Sequence, residues 1–374
     1  MEETRDMLFD HIARCLDTFL MQFKKEIRSS QEQLQFKPIP VGFTFSFACK
    51  QVGLEKAILT RWGKGFRCSG VVGKDITELL RQAIRRRNLP VEVTAVVNDT
   101  TGTLMSCAFT DIDCRIGVIC GTGTNACYME KLEKIKTLLE EKGEMIINTE
   151  WGAFGEGGLL NDIVTDFDAQ LDRNSINARY QIYEKMCSGM YLGELARLVM
   201  LKAVRERILF RGQSTALLEK KDQIDAKFLS LVEQDLTAEL RDYELNQNHV
   251  TQLQNSDYES TKKALREIGV FDATEEDFRI VRKICQDISR RSAYLVAAGI
   301  SVMLLRIPFR KMTAVGVDGS VFRKHPAFSR RVNEKIEDLV GPSVGFRLVL
   351  SSDGSGKGAA VIAAVAAEKK LHHK

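Results

Sequence analysis

A carboxylate stands where a short apolar run ends, near residue 100. Residues 93–97 (VTAVV) are too few for a helix and are bounded by polar residues, so they predict a strand buried on both faces. Asp99 follows this strand, and Thr100 opens a predicted helix. Open α/β sheets bind their ligands at the carboxyl ends of strands. Asp99 is therefore the leading candidate for a general base that accepts a proton from a reacting group.

A glycine-rich turn follows the next predicted strand, residues 115–120. Its sequence at 121–125 is GTGTN, and the N–H groups and hydroxyls of such a turn could hold phosphate. Both features also have ordinary structural explanations. An Asp after a strand is often a helix N-cap, and GTGTN could be a hairpin turn. Their adjacency in one stretch favours a function.

Composition limits the class of protein. The chain has 374 residues, 44% hydrophobic and 28% charged, which is typical of a globular protein with two domains. A net charge of +4 does not indicate nucleic acid as a partner, and no partner protein is evident. Nine cysteines without a C-x-x-C pair predict a reduced, cytoplasmic chain with no metal site of its own. The longest apolar run, residues 295–305, is too short to span a membrane.

Periodicity predicts the elements that must position these residues. An apolar stripe from Leu8 to Ile27 predicts a long first helix. Further helices are predicted at 73–88, 181–207 and 277–305, with an Ala-rich helix closing the chain. Further strands are predicted at 41–47, 126–129, 145–148, 312–317 and 346–350. A small α/β domain at residues 1–109 and a larger one at 110–374 follow from this pattern.

Three strands run into glycine-rich turns, at 121–125, 318–320 and 353–358. Three such turns suggest one nucleotide held by backbone donors. The last turn, GSGKG, is not a P-loop, because Ser351 stands where a glycine is needed and Gly358 where a hydroxyl is needed. Lys357 is interpreted as a solvated or helix-opening lysine.

Several polar residues are of the types that recognise sugar hydroxyls. Carboxylates and amides at strand ends include Asn98, Asn125 and Glu150, and Glu184 lies in a predicted helix start. For Glu184 a solvated carboxylate in the first helical turn is the favoured alternative. For Glu150 both interpretations stay open.

Eight segments together resemble successive motifs of the eukaryotic hexokinases. In order they are VGFTFSFACKQ, RWGKGF, VVNDTTGT, GVICGTGTNACYMEK, NTEWGAFGEGG, YEKMCSGMYLGEL, VGVDGSVFRKHPAF and SSDGSGKGAA. The resemblance runs from about residue 7 to the C-terminus and implies an α/β, actin-like (RNase-H-like) fold of two domains that close on ATP and sugar. It also implies ATP-dependent phosphorylation of a glucose-type hexose at the 6-hydroxyl, the first step of glycolysis, with Mg²⁺.

The resemblance assigns roles by position. Asp99 matches the catalytic base. The positions that match the sugar site are Ser46, Phe47, Lys64, Asn98, Asn125, Glu150, Gln181 and Glu184. The positions that match the nucleotide site are Gly121, Thr122, Gly123, Gly189, Ser230, Gly319 and Ser320. No residue is assigned as a metal ligand.

The chain departs from the family pattern at several positions. A family proline is Ala48 and a family threonine is Gly63, both in sugar-site motifs. At the nucleotide site a threonine is Ala226 and an apolar residue is Lys324.

The family's first phosphate loop, an Asp-Gly-Gly-Thr turn followed by an arginine, has no counterpart here, nor do its flanking strands. We therefore expect an incomplete first domain, less stable than residues 110–374, with an exposed strand edge and apolar patch. We also expect very low turnover from this chain alone, because such a charge clamp matters greatly in phosphoryl transfer.

Two other functions stay open at this point. One is a catalytically impaired hexose-binding or regulatory protein. The other is an ATPase without a sugar site, which the joint presence of the sugar-site residues disfavours.

Overall fold

The computed structural model describes residues 4–23, 38–137, 142–235, 258–307 and 311–372. In chain order the strands are β1 (Ile39–Thr44), β2 (Ala48–Gln51), β3 (Ala57–Arg61), β4 (Val91–Val97), β5 (Cys114–Cys120), β6 (Thr124–Lys131), β7 (Glu144–Asn148), β8 (Thr313–Asp318) and β9 (Phe346–Leu350). The helices are α1 (Arg5–Gln22), α2 (Ile76–Arg86), α3 (Asp99–Thr110), α4 (Asp166–Asn174), α5 (Ile182–Cys187), α6 (Gly189–Arg205), α7 (Ala216–Glu219), α8 (Ala226–Val232), α9 (Glu259–Glu267), α10 (Glu275–Arg306), α11 (Ser320–Lys324), α12 (Phe328–Val340) and α13 (Gly354–His372).

The chain forms two compact units. Unit 1 comprises Met1–Gly117 and Ser351–Lys374, and unit 2 comprises Val118–Leu350. The closing helix α13 thus belongs with the N-terminal part, whereas the sequence analysis assigned residues 110–374 to one domain. The physical reason is packing, because α13 lies on α3, β1 and β4.

Unit 1 is built on the parallel pair β1 and β4, with Ile39 opposite Val91 and Thr44 opposite Val97. The apolar run at 93–97 lies within β4 and is buried, as predicted. The predicted strand 41–47 ends earlier, at Thr44. The short antiparallel pair β2 and β3 was not predicted.

Helix α1 packs on α2 and buries Phe9 and Ala13 in the core of this unit. Ile27, the last residue of the predicted stripe, lies outside the described residues. Helix α1 exposes Phe19 and Met21, and β1 is only half-buried along its length. The expected exposed strand edge, the apolar patch and the lower stability of this unit stay predictions.

The turn at 353–358 serves helix packing. A Cβ on Gly358 would lie 1.8 Å from the carbonyl oxygen of Gly102, so α13 and α3 approach closely only because both positions are glycine. Thr44 and Thr94 donate to the carbonyl groups of Ser355 and Ala363 at 3.0 and 3.2 Å. Exposed Lys357 donates to the carbonyl of Ser352 at 2.8 Å, in agreement with its interpretation as a helix-opening lysine.

Unit 2 contains a five-stranded sheet in the order β7-β6-β5-β8-β9. Strands β6 and β7 pair antiparallel, and β8 and β9 pair parallel. All five correspond to predicted strands, because each is an apolar run or alternation ended by polar or glycine residues. The predicted helix at 181–207 is instead two helices, α5 and α6, because Ser188 between them has extended backbone (φ −90°, ψ 152°).

Helix α10 is the longest of the described helices. It packs against α5, α6, α8 and α12 in the core of unit 2. By length and composition alone it could cross a membrane, but half of its apolar window is buried within the protein. Burial of this kind is also what the core helix of a globular unit shows.

A buried ion pair in unit 2 makes stability depend on pH. Both carboxylate oxygens of Asp168 accept from Arg291 at 2.7 Å, and Thr165 donates as well. Burial raises the pKa of Asp168. The hydrogen bonds and charge of Arg291 and the hydrogen bonds of Thr165 lower this pKa by more than burial raises it, so the net pKa is below the ordinary value. A carboxyl with a lowered folded-state pKa stabilises the fold above its unfolded pKa, about 3.9, and loses this effect as the pH falls.

We expect Asp168→Asn to lower the free energy of unfolding by about 1–3 kcal/mol at neutral pH, because Arg291 loses its charged partner. The difference from the unchanged chain should shrink below about pH 4. Urea titrations between pH 3 and 7 measure this. Asp287→Asn, at an exposed ion pair with Lys283, should change stability by less than about 1 kcal/mol. An equal effect of both substitutions would contradict the assignment.

Candidate functional site

Asp99 is the first residue of α3, at the carboxyl end of β4. The helix N-cap is Asn98, whose Oδ1 accepts from the N–H and hydroxyl of Thr100 at 2.9 and 2.6 Å. Asp99 is half-buried, and its Oδ1 also accepts from Thr100 N–H at 2.9 Å. Among the described residues no hydrogen bond reaches its second oxygen, Oδ2. The capping role considered for Asp99 therefore belongs mainly to Asn98.

The other predicted sugar-site residues of unit 1 lie together. Lys64 Nζ donates to the carbonyl oxygen of Ser46 at 3.3 Å. The Phe47 ring meets Trp62 edge-on at 4.8 Å and packs on Phe66 at 5.6 Å. The motifs at 46–48 and 62–66 thus form one aromatic and polar cluster, which is held by ring packing.

In unit 2 two amide side chains and one carboxylate lie together at the start of β6 and just after the end of β7. Asn125 Nδ2 donates to Asn148 Oδ1 at 2.8 Å and to Glu150 Oε1 at 3.1 Å. Asn148 Nδ2 donates to the same Glu150 oxygen at 2.7 Å. Asn148 was not predicted from the sequence, although it ends β7 two residues before Glu150. Its two bonds fix the orientation of both predicted sugar-site residues.

Glu184 is buried, with 8% of its surface exposed, so its interpretation as a solvated carboxylate is wrong. Its Oε2 accepts from Thr124 N–H at 3.0 Å, which draws α5 onto the glycine-rich turn. Gln181 N–H donates to Glu156 Oε1 at 2.8 Å, another contact that the sequence did not reveal. A Cβ on Gly152 would lie 2.3 Å from Gln181 Oε1, so the segment after β7 lies directly on this residue.

Three predicted sugar-site residues have left-handed backbone. The φ angles are 56° at Lys64, 48° at Glu150 and 57° at Gln181. Non-glycine residues rarely adopt this conformation, which costs on the order of 1–3 kcal/mol each and concentrates at ligand sites. The backbone at these residues is therefore held against strain, as it also is at eight other non-glycine residues of the described chain, Phe210 and Arg211 among them.

Buried thiols beside this group are not reactive. Burial raises the pKa of the Cys120 thiol to about 12. Burial, with Cys120 nearby, also raises the pKa of Cys187 well above its ordinary value. Both thiols stay protonated, so they are poor nucleophiles. The polar chemistry of this region lies with carboxylates, amides and hydroxyls.

A cavity of about 480 Å³ lies on the other side of the glycine-rich turn, within unit 2. Four predicted nucleotide-site residues line it, namely Thr122, Gly189, Ser230 and Ser320. The departures Ala226 and Lys324 also line it. Its volume falls in the usual range for small-molecule and cofactor sites, about 300–1,000 Å³.

The remaining nucleotide-site residues build the wall behind the cavity. Gly121 accepts from Gly189 N–H at 2.8 Å, and its own N–H donates to Gly123 at 3.0 Å. A Cβ on Gly121 would lie 3.5 Å from the Cα of Gly319, so the turns after β5 and β8 touch. The N–H groups of Gly121 and Thr124 are bonded inside the protein. These two N–H groups therefore do not point to a ligand, so only part of the turn at 121–125 can supply backbone donors to phosphate.

The residues present fit Mg²⁺ only as part of a nucleotide complex. Within the described ranges no three His, Cys, Asp or Glu side chains lie close enough to bind a metal ion. Mg²⁺ usually keeps several waters and is held in large part by substrate phosphates, so a nucleotide in the cavity would bring it.

Known proteins confirm the class that these features define, an α/β protein of the actin-like ATPase fold. The hexokinase family model matches residues 115–365, and a second hexokinase model matches residues 1–109. Hexokinase-2 of Homo sapiens is 40% identical over 380 residues, which cover 100% of this chain and 38% of that protein. Hexokinase-1 of Rattus norvegicus is 42% identical over 373 residues, covering 98% of this chain and 37% of that protein.

A solved hexokinase from Schistosoma mansoni, complexed with glucose, matches with a TM-score of 0.80 and 40% identity. The match covers 98% of this chain and 76% of that one. The chain belongs to the hexokinase family, and the predicted family and actin-like fold are confirmed. It spans 38% of the length of Hexokinase-2.

Proposed function

We propose that this chain carries the residues for ATP-dependent phosphorylation of a glucose-type hexose at its 6-hydroxyl. The observation that carries the proposal is the turn at 121–125. Thr122 faces the cavity of about 480 Å³, while Thr124 and Asn125 bond to Glu184, Asn148 and Glu150. One turn thus joins a nucleotide-sized cavity to a group of amides and carboxylates suited to sugar hydroxyls.

Asp99 is the proposed base. Phosphoryl transfer needs a hydroxyl oxygen directed at the γ-phosphorus, a proton acceptor and neutralised phosphate charge. The carboxylate would take the proton of the 6-hydroxyl as its oxygen attacks. MgATP supplies the phosphoryl group and most of the positive charge. The amides and carboxylates of the sugar-site residues orient the hexose through paired hydrogen bonds.

The proposed compartment is the cytoplasm. All nine cysteines lie among the described residues, where none forms a disulfide and seven are buried. Free thiols without disulfides are typical of reducing compartments. ATP, Mg²⁺ and a hexose are the proposed ligands.

Sugar-dependent consumption of ATP tests the proposal. We expect ADP release from the chain to require glucose and to be very slow beside the roughly 1–100 per second that is typical of kinases. Glucose binding without ADP release would instead favour a hexose-binding or regulatory protein. ADP release without sugar would indicate an ATPase.

Glu184→Gln tests the sugar site. We expect it to weaken glucose binding by about 1–3 kcal/mol, because charge-assisted hydrogen bonds become neutral ones. ADP affinity should not change. Calorimetry with glucose and with ADP measures both. Glu133→Gln, an exposed carboxylate of the same unit, is the control. Unchanged glucose affinity in the Glu184 variant would remove this residue from the sugar site.

A further inference from the structure

A buried carboxylate lies just behind the nucleotide-sized cavity. Glu233 follows α8 directly and has no exposed surface. It accepts from His325 Nε2 at 3.2 Å, from Arg331 Nη2 at 2.6 Å and from the hydroxyl of Ser289. Arg331 Nη1 also donates to Ser289 at 2.6 Å. These four side chains, the Glu233 cluster, form a closed network.

The network favours one arrangement of protons. Ala327 N–H donates to His325 Nδ1 at 3.3 Å, so the imidazole proton lies on Nε2 and points to Glu233. Burial raises the pKa of Glu233, but the hydrogen bonds from His325 and Ser289 and the charge of Arg331 outweigh burial, so its net pKa is lowered. Hydrogen bonds to a charged carboxylate are strong and geometrically specific, so Glu233 holds its three donor side chains in fixed directions.

The cluster links two walls of the cavity. Helix α8 supplies one wall and packs on α6, α9 and α10. Helix α11 supplies another wall and packs on α12 and β8. Glu233 ends the first of these helices, and His325 ends the second. Their hydrogen bond ties the ends of both walls, and Arg331 and Ser289 anchor the tie to α12 and α10.

We propose that the Glu233 cluster fixes the width of this cavity and so positions Ser230 and Ser320 on opposite walls for the nucleotide. This proposal rests on the proposed function, since it takes the ligand of the cavity to be a nucleotide. Glu233, Arg331 and Ser289 do not line the cavity, so they are positioning residues.

The test is calorimetric binding of ADP to the full chain. Glu233→Gln keeps the size of the side chain but places an amide NH₂ against donors. We expect the dissociation constant of ADP to rise about tenfold, while that of glucose changes less than about twofold. Ser289→Ala removes one donor to Glu233 and one acceptor of Arg331 with little change in volume. It should raise the ADP constant about threefold, and it keeps the test decisive if the first variant does not fold.

Glu130→Gln is the matched control. Glu130 is a carboxylate of the same unit, 1% exposed and 2.6 Å from Arg306, but away from the cavity. This variant should lose stability and keep its ADP affinity. Equal ADP affinity in the unchanged chain and in the Glu233 and Ser289 variants would overturn the positioning role alone. No binding of ADP to the unchanged chain would overturn the nucleotide function, and the positioning role with it.

Discussion

Asp99→Ala is expected to lower turnover by about two to four powers of ten, the usual effect of removing a positioned proton acceptor. The carboxylate lies at the end of β4 with one oxygen bonded to Thr100 and the other without a partner among the described residues. Without it, a sugar hydroxyl must lose its proton to water during attack. Glucose affinity should change far less. Glucose-dependent ADP release, in a form of the protein with measurable turnover, gives the turnover number and the glucose concentration at half-maximal rate.

Asp75→Ala separates this chemistry from helix capping. Asp75 is the N-cap of α2 and accepts from Thr77 N–H, so its loss should cost about 1 kcal/mol of stability. It should leave turnover unchanged. If Asp99→Ala keeps most of the rate, Asp99 is not the base.

The elements that the sequence predicted well are those with a local signal. Strands β4, β5 and β8 are apolar runs that end in polar or glycine residues, and all three are largely buried. The break between α5 and α6 was missed because helical periodicity continues through Ser188.

Placement of the closing helix depends on long-range contacts. Residues 351–374 follow β9 of unit 2, yet they pack within unit 1 through Thr44–Ser355 and Thr94–Ala363. These partners are about 300 positions apart in the chain, so no local pattern reveals them. The glycines at 354–358 were interpreted from the sequence as part of a nucleotide-holding turn, and their close approach to α3 becomes visible only in the structure.

The candidate site also contains residues that a local sequence pattern predicts and residues that only long-range packing places there. Asn125 lies at the start of β6, Asn148 ends β7 and Glu150 follows it by two residues, so two of the three were found from their positions beside strands. Burial of Glu184 and its contact with Thr124 depend on how α5 packs, which periodicity does not report. Glu233 and His325 come from segments 92 positions apart, and neither stands in a glycine-rich turn.

The contact between the turns after β5 and β8 depends on one glycine. Gly319 has φ 122°, and a Cβ there would lie 2.2 Å from the carbonyl oxygen of Cys120. The added Cβ is fixed to the backbone of Gly319, and the oxygen belongs to the backbone of Cys120. Neither atom can therefore rotate away. A side chain at this position must push the two turns apart, and with them Thr122 and Ser320 on the cavity wall.

Gly319→Ala is therefore expected to cost about 2–5 kcal/mol of stability, the sum of positive-φ strain and overpacking. ADP binding should weaken more than about tenfold, because the two turns no longer meet. Gly341→Ala is the matched control, since Gly341 also has positive φ (71°) but no atom lies within 4 Å of its added Cβ. It should cost only about 1–2 kcal/mol and leave ADP affinity unchanged. Thermal unfolding and ADP calorimetry on both variants measure the difference. Equal losses in the two variants would mean that backbone strain alone matters at Gly319, and that the close approach of the turns does not support the cavity.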